Sequence, residues 1–324
     1  MALNRRTLLA ATGGAAFAGS AQAQAPNFPR KAIQMIVAYP AGGNTDIGAR
    51  ILAAIAEKEF GQPVVVVNKG GAGGQLGFTE GARAKPDGYT VTFINLPAVS
   101  TIVLDPERKA AFGMDSFIPV INQVLDPGVV WVKADSPFKT FADLLDGARK
   151  APGKLSACTT GILSDDHLAI LMTQEAAKVE FRMVHFEGSA QQLTGVLGGH
   201  VDSAFDNVGG VFKRVKSGEL RALVVTDDER SKFLPDVPCT KELGFPSVIS
   251  SSTRGIAVPK GTPKDIVKII EAGFAKAINN PEHIRKMEEQ GLALKPLIGA
   301  DYAKYCAESH KQATKYMEWA LKTR

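Results

Sequence analysis

Runs of β-forming residues alternate with helical patterns along most of this chain, and no other feature restricts its fold so tightly. Residues 31–38, 63–68 and 89–94 read as strands. Between the first two, residues 46–60 place Ile47, Ile51, Leu52 and Ile55 on one helical face, and Gly61 supplies a stop. Further strands are expected at residues 129–132, 155–158, 181–185, 201–205 and 220–225. The helices between them have readable starts: Thr140 with Asp143, Ser164 ahead of residues 165–178, and Ser189 with Gln192 as a capping box that runs to Gly198-Gly199. The last part is mostly helical, with Thr262 and Pro263 opening one helix and residues 282–290 and 301–321 forming two more. Such alternation predicts sheets covered by helices on both faces, the α/β class. No repeat or flexible tether divides the chain, so two α/β blocks joined by crossing strands are expected.

The N-terminus has a different grammar. Arg5 and Arg6 precede a small and apolar stretch, residues 8–18, and an Ala-x-Ala exit at residues 21–25. A charged start, an apolar middle and small exit residues make a cleavable export signal over residues 1–25. The run Arg5-Arg6-Thr7-Leu8-Leu9 suits a twin-arginine signal as well as an ordinary one. The apolar stretch falls short of the roughly 20 residues of a membrane span. Cleavage near Ala23 or Ala25 therefore releases a soluble protein into a periplasm. Removing Arg5 and Arg6 takes the formal charge from +5 to +3. So small an excess, with no Lys/Arg run, does not point to nucleic acid. Cys158, Cys239 and Cys306 are odd in number and far apart, which argues against a metal cluster and for three separate thiols.

Two glycine-rich loops lie where strands give way to helices. The loop Tyr39-Pro40-Ala41-Gly42-Gly43-Asn44-Thr45-Asp46 sits at the carboxyl end of a strand, where α/β sheets bind ligands. Its glycines let backbone N–H groups approach a ligand, and Asn44 or Thr45 can cap the helix that follows. Asp46 suits the helix dipole but opposes a bound anion. An ordinary capped turn would use the same residues. The second loop, residues 70–77, lacks the Gly-Lys-Ser/Thr end of a P-loop and the spacing of a dinucleotide fingerprint, so no nucleotide cofactor is expected. His167 is near Ser164, Asp165 and Asp166, but neighbours on a helix do not converge on one point, so neither a metal nor a triad is inferred.

With these loops laid out, the chain resembles the solute-binding proteins of tripartite tricarboxylate transporters, the periplasmic Bug family. The landmarks are YPAGGNTDIGAR at 39–50, NKGGAGGQLGFTEGARAKPDGYT at 68–90, TTGILSDDHL at 159–168, FEGSA at 186–190, LGGHVDSAFD at 197–206 and GIAVPKGTP at 255–263. The resemblance implies a two-lobed periplasmic binding protein of type II-like form, each lobe a sheet flanked by helices, with the ligand cleft between them. It places lobe one in residues 26–125 and 226–324 and lobe two in residues 126–225. It implies a small carboxylate ligand, membrane transporter subunits as partners, a monomer, and no catalytic role. Carried onto this chain, the ligand contacts are Tyr39, Gly42, Gly43, Asn44, Thr45 and Asp46 in lobe one. In lobe two they are Thr159, Thr160, Gly161, Ser164 and His167, with Phe186 and Asp206 lining the cleft.

The chain departs from the family pattern at Ile162 and Leu163, at Thr253 and Arg254, and at Phe186-Glu187-Gly188. Those departures bear on which carboxylate is bound. Like-charge repulsion predicts that Asp165 and Asp166 turn to solvent and that backbone N–H groups with the hydroxyls of Thr45, Thr160 and Ser164 hold the anion. Arg254 is the candidate for a second anionic group, against the commoner exposed arginine. Two further readings stay open: a secreted enzyme using His167 or Asp206 as a base, and a ligand sensor for a membrane receptor.

Overall fold

The computed structural model describes residues 27–323, so the expected export signal and cleavage site lie outside the described residues. The first block runs β1 (Ile33–Val37), α1 (Asn44–Phe60), β2 (Val64–Asn68), α2 (Gln75–Ala82), β3 (Thr90–Leu96) and α3 (Ala98–Leu104). β1 pairs in parallel with β2 and with β3, in the registers Ile33 with Val64 and Gln34 with Thr90. Helix α1 ends where Gly61 takes a left-handed conformation, φ 61°, which an L side chain adopts only with strain. Its inward face buries Leu52 and Ile55 against the sheet, while Ile47 and Ile51 turn toward Val124, Met287 and Leu292.

A 17-residue strand, β4 (Phe117–Lys133), then leaves this sheet and enters a second one. The second block continues with α4 (Phe141–Lys150), β5 (Ser156–Thr159), α5 (Asp165–Ala177), β6 (Arg182–His185), α6 (Ser189–Leu197), β7 (Ser203–Asn207), α7 (Val208–Lys216) and β8 (Leu220–Thr226). β5 pairs in parallel with β6 and β7, and the second half of β4 lies antiparallel to β7 and β8. Residues 227–250 stay with this block: Leu234 belongs to its core, and the Phe245 ring meets Phe141 edge-on at 5.9 Å.

The chain returns through β9 (Ser251–Pro259), which is antiparallel to both β3 and the first half of β4. It ends with α8 (Lys264–Ile278), α9 (Pro281–Glu289), β10 (Leu294–Ile298) and α10 (Ala300–Thr323). Each sheet is thus sandwiched by two apolar clusters, and β4 and β9 cross between the blocks. Helix α10 spans both blocks, because Met317 and Ala320 pack on Leu163, Leu168 and Leu171 at the head of α5. This is the expected two-lobed α/β architecture.

Several local expectations need correction. β9, β10 and the first half of β4 are strands beyond those expected from the residues. Register shifts between Pro119 and Ile121 and between Asn122 and Val124 interrupt the pairing of β4 with β9. Thr140 and Asp143 do form a capping box, and Ser164 caps α5 through the His167 N–H. Ser189 does not cap α6, whose N-cap is Gly188, and the Gln192 amide is spent on the carbonyls of Cys158 and Phe205. Thr262 donates to the Pro259 carbonyl and leaves Pro263 as the N-cap of α8. Neither Asn44 nor Thr45 caps α1, whose N-cap is Gly43. The three thiols are buried and free.

Candidate functional site

The carboxyl ends of β1, β3, β5 and β7 converge between the lobes, and a cavity of about 30 Å³ lies there. Its first-lobe wall contains Tyr39, Gly43, Asn44 and Thr45 from the loop after β1 and the start of α1. Its second-lobe wall contains Thr160 after β5 and Asp206 at the end of β7, and Arg254 of β9 closes the floor. These seven are the expected contacts that the structure brings together. The loop motifs do not point to Asn95, Asp165, Asn207 or Ser189, which also line the cavity. Strand register carries two of them there: Asn95 lies opposite Arg254 across β3 and β9, and Asn207 opposite Gly128 across β7 and β4, while Asp165 and Ser189 open the helices α5 and α6.

The remaining expected contacts stand behind this wall. Gly42 donates its N–H to Asp46, whose carboxylate also accepts from the Arg50 Nε and the Asn68 amide, each at 2.9 Å. Thr159 hydrogen-bonds the His185 ring at 2.8 Å and donates to the Gly161 carbonyl. Ser164 is occupied as a helix cap. His167 accepts the Leu163 N–H on Nδ1 and packs edge-on against His185 at 4.6 Å. Phe186 packs in the second lobe's core, where a side chain on Gly195 would strike its ring. Gly161 serves closure, since a Cβ there would come 3.1 Å from the Gly73 Cα across the cleft.

Charge is distributed unevenly around the cavity. Asp165 and Asp166 are 7% and 2% exposed, not turned to solvent. The Asp165 carboxylate accepts from the Asn207 amide at 2.8 Å, and Asp166 accepts from the backbone and hydroxyl of Thr160. Burial pushes both carboxyls upward, and for Asp166 the charges of Asp165 and Asp206 add to it. Burial also pushes Asp206 up to about 7, although it accepts the Asn44 amide at 3.1 Å and the Asn207 N–H at 2.7 Å.

Arg254 is 2% exposed rather than a surface arginine. Its two terminal nitrogens are already engaged, one with Asp126 and one with the Asn207 side-chain oxygen, both at 2.8 Å. A ligand carboxylate could take both only by displacing that pair, so Arg254 is not an open fork.

The lobes also touch directly. The Asn44 N–H donates to the Ser189 hydroxyl at 3.1 Å, and that hydroxyl meets the Asn44 side-chain oxygen at 3.2 Å. Arg108 reaches the Ile162 carbonyl, and Thr101 the Leu163 carbonyl, both at 2.8 Å. The second glycine-rich loop takes part as well, through Gly73 N–H to Glu187.

Two α/β lobes joined by crossing strands, with a polar cavity at the strand ends between them, define a two-lobed solute-binding protein. Residues 48–319 match the model of the tripartite tricarboxylate transporter family receptor, and the chain belongs to that family. It is 33% identical over 303 residues, 92% of this chain and 90% of the other, to a Cupriavidus necator protein described as the UPF0065 protein in the gbd 5′ region. It superposes on the periplasmic binding protein BugD with a TM-score of 0.83 and 29% identity, covering 91% of this chain and 98% of that one. The Rhodopseudomonas palustris protein Rpa4515 with adipate gives a TM-score of 0.86 and 26% identity, over 91% and 98% of the two chains. Among the described residues, no helix is long and apolar enough to cross a membrane.

Proposed function

We propose that this chain captures a small carboxylate-bearing solute between its lobes and presents it to the membrane subunits of a tripartite transporter. The observation that carries this reading is the meeting of two helix starts, those of α1 and α5, at one interlobe cavity. Helix N-termini offer unpaired N–H groups and a positive dipole end to an anion. The adipate complex of Rpa4515 supports the same class of ligand.

The contacts we assign to the solute come from Tyr39, Gly43, Asn44 and Thr45 on one side and from Thr160, Asp206 and Arg254 on the other. Gly42, Asp46, Thr159, Gly161, Ser164, His167 and Phe186 support them from behind. The lobes divide at the crossings, with residues 126–250 forming lobe two because residues 227–250 pack on its core. We read the protein as a monomer that returns its solute unchanged. The Nδ1 of His167 is engaged by the chain itself, and Asp206 is held by two donors. Export through residues 1–25, with cleavage near Ala23 or Ala25, places this work in the periplasm.

Calorimetry and solution scattering on periplasmic material, whose intact mass should lack residues 1–23 or 1–25, test the reading. Saturating mono- or dicarboxylate should contract the molecule. A radius unchanged at saturation, or a solute recovered in altered form, would overturn it.

A further inference from the structure

The charges on the cavity wall do not balance, and the imbalance is local. Among the described lining residues Arg254 is the only cation, and its charge is met by Asp126, which is wholly buried beneath it. Asp165 and Asp206 line the same cavity without a cation of their own. Their hydrogen-bond donors are neutral: the Asn207 amide for Asp165, and the Asn44 amide with the Asn207 N–H for Asp206. Asp166 lies directly behind, held by neutral Thr160 groups. One cation, already paired with Asp126, is shared by Asp165 and Asp206, and burying several like charges around it is costly, so closing the lobes around an anion alone would worsen this wall.

A second observation comes from the opposite lobe. Asn95 lines the cavity from β3 and is 3% exposed, and its side-chain oxygen has no hydrogen-bond partner among the described residues. A buried acceptor left without a donor is rare and costs stability unless something supplies one. Two carboxylates and an amide oxygen, drawn from both lobes, are thus acceptors around one small space. An anion's oxygens cannot satisfy any of them. A metal ion is a poor fit, because no group of three metal-binding side chains exists among the described residues. An ammonium group supplies three donors and one positive charge.

We propose that the solute is a zwitterion whose amino group is taken by Asp165, Asp206 and the Asn95 oxygen while its carboxylate sits at the helix starts. This rests on the carboxylate-capture reading above and narrows its substrate class to amino acids. Solute charge is then tied to closure. The closed arrangement gathers acceptors from both lobes, and only a donor-bearing cation favours it over the open one. Arg254, its two terminal nitrogens already engaged, holds the floor and leaves the cation site to the solute.

Titration calorimetry with acids matched except for the amino group tests this: L-aspartate against succinate, L-glutamate against glutarate, and 4-aminobutyrate against butyrate. At about pH 7.5 the amino groups are charged. In at least one pair the amino acid should bind about tenfold tighter than its partner, the scale of one hydrogen bond to a charged group. D165N and D206N should each lower that affinity by about tenfold or more and strengthen the amine-free acid, because each removes a like charge. N95A should weaken the amino acid several-fold. Circular dichroism checks that the variants fold, and the matched pairs on the unaltered chain stand without them. Amine-free acids binding as tightly as their amino partners would overturn the zwitterion and leave carboxylate capture intact. No binding by any acid of either kind would overturn both.

Discussion

Two helix starts face the same cavity with acidic residues in their first turns, and the chain treats the two very differently. In α1, Asp46 is buried, yet its carboxylate receives Arg50, the Gly42 N–H and Asn68. Burial alone would raise its pKa, but those three donors outweigh burial and leave it below the usual carboxylate range. In α5, Asp165 and Asp166 lie deeper and receive only neutral donors, so burial raises both. A buried carboxylate with its own cation is part of the scaffold. One without a cation is a standing electrostatic cost, and such costs collect at sites that act on something else.

Arg254 gives the hardest test of that distinction. It and Asp126 form a scaffold pair like Asp46 and Arg50, but fully buried, at 2% and 0% side-chain exposure. R254A strands Asp126 in the floor and should cost about 3–5 kcal/mol of unfolding free energy, the usual effect of breaking a buried pair. Urea denaturation measures it, and R254A/D126N should recover part of the loss. A loss below about 1 kcal/mol would mean that Asp126 is protonated in the native protein and needs no partner.

The next pair of variants sets the two helix starts against each other through pH. Asp46 is depressed in the folded state, so its stabilisation is present above the unfolded pKa of about 3.9 and is lost as pH falls through the lower folded value. D46N should cost about 1.5–3 kcal/mol near neutrality and less in acid, the range for hydrogen bonds to a charged group. Asp206 is raised to about 7, so its contribution has the opposite sign: favourable below pH 4 and lost as pH climbs toward 7. D206N keeps an oxygen for Asn44 and Asn207, and should stabilise the unliganded protein by about 1–2 kcal/mol at pH 7.5, with a smaller gain at pH 5 and almost none below pH 4. Chemical denaturation across that range decides it. Parallel pH profiles for the two variants would erase the proposed difference between scaffold and site.

Which parts of this were readable in the residues follows from how local each signal is. β1 to β3, α1 with its Gly61 stop, and the capped start of α5 follow from periodicity and capping chemistry, and all are found. β9 and the first half of β4 are long-range: Asn122 and Gly255 are paired, yet nothing near either announces the other. The site divides in the same way. Tyr39 to Thr45 form a contiguous loop and are legible as a motif. Asn95 and Asn207 reach the cavity only because strand registers carry them there. Asp165 and Asp166 look like ordinary dipole-stabilising residues, since sequence shows that they begin a helix but not that a second lobe covers it. Arg254 errs in the same direction: arginines are mostly exposed, and only its burial against Asp126 reverses the expectation.

The smallest effect probes a contact that the start of α1 makes across the cleft with a third helix start, that of α6. Ser189 opens α6 without capping it, and its hydroxyl instead crosses the cleft to the Asn44 N–H and side-chain oxygen. Space there is already committed, because a Cβ on Gly43 would lie 2.9 Å from that hydroxyl. These bonds exist only with the lobes together, whereas the Asp46 cluster is made within lobe one and survives opening. S189A should therefore leave the fold's stability nearly unaltered and weaken closure by about 0.5–1.5 kcal/mol, one neutral hydrogen bond's worth. Most of that loss should appear as faster solute release, since a closed complex must break the bond before the solute leaves. Stopped-flow dissociation on S189A and the parent chain separates the cases. A release rate raised roughly two- to tenfold, with association unchanged, fits a closure contact. An equal fall in the denaturation midpoint would show instead that Ser189 supports lobe two alone, and the start of α1 would then owe its place in closure to Asn44 and Asp206 rather than to α6.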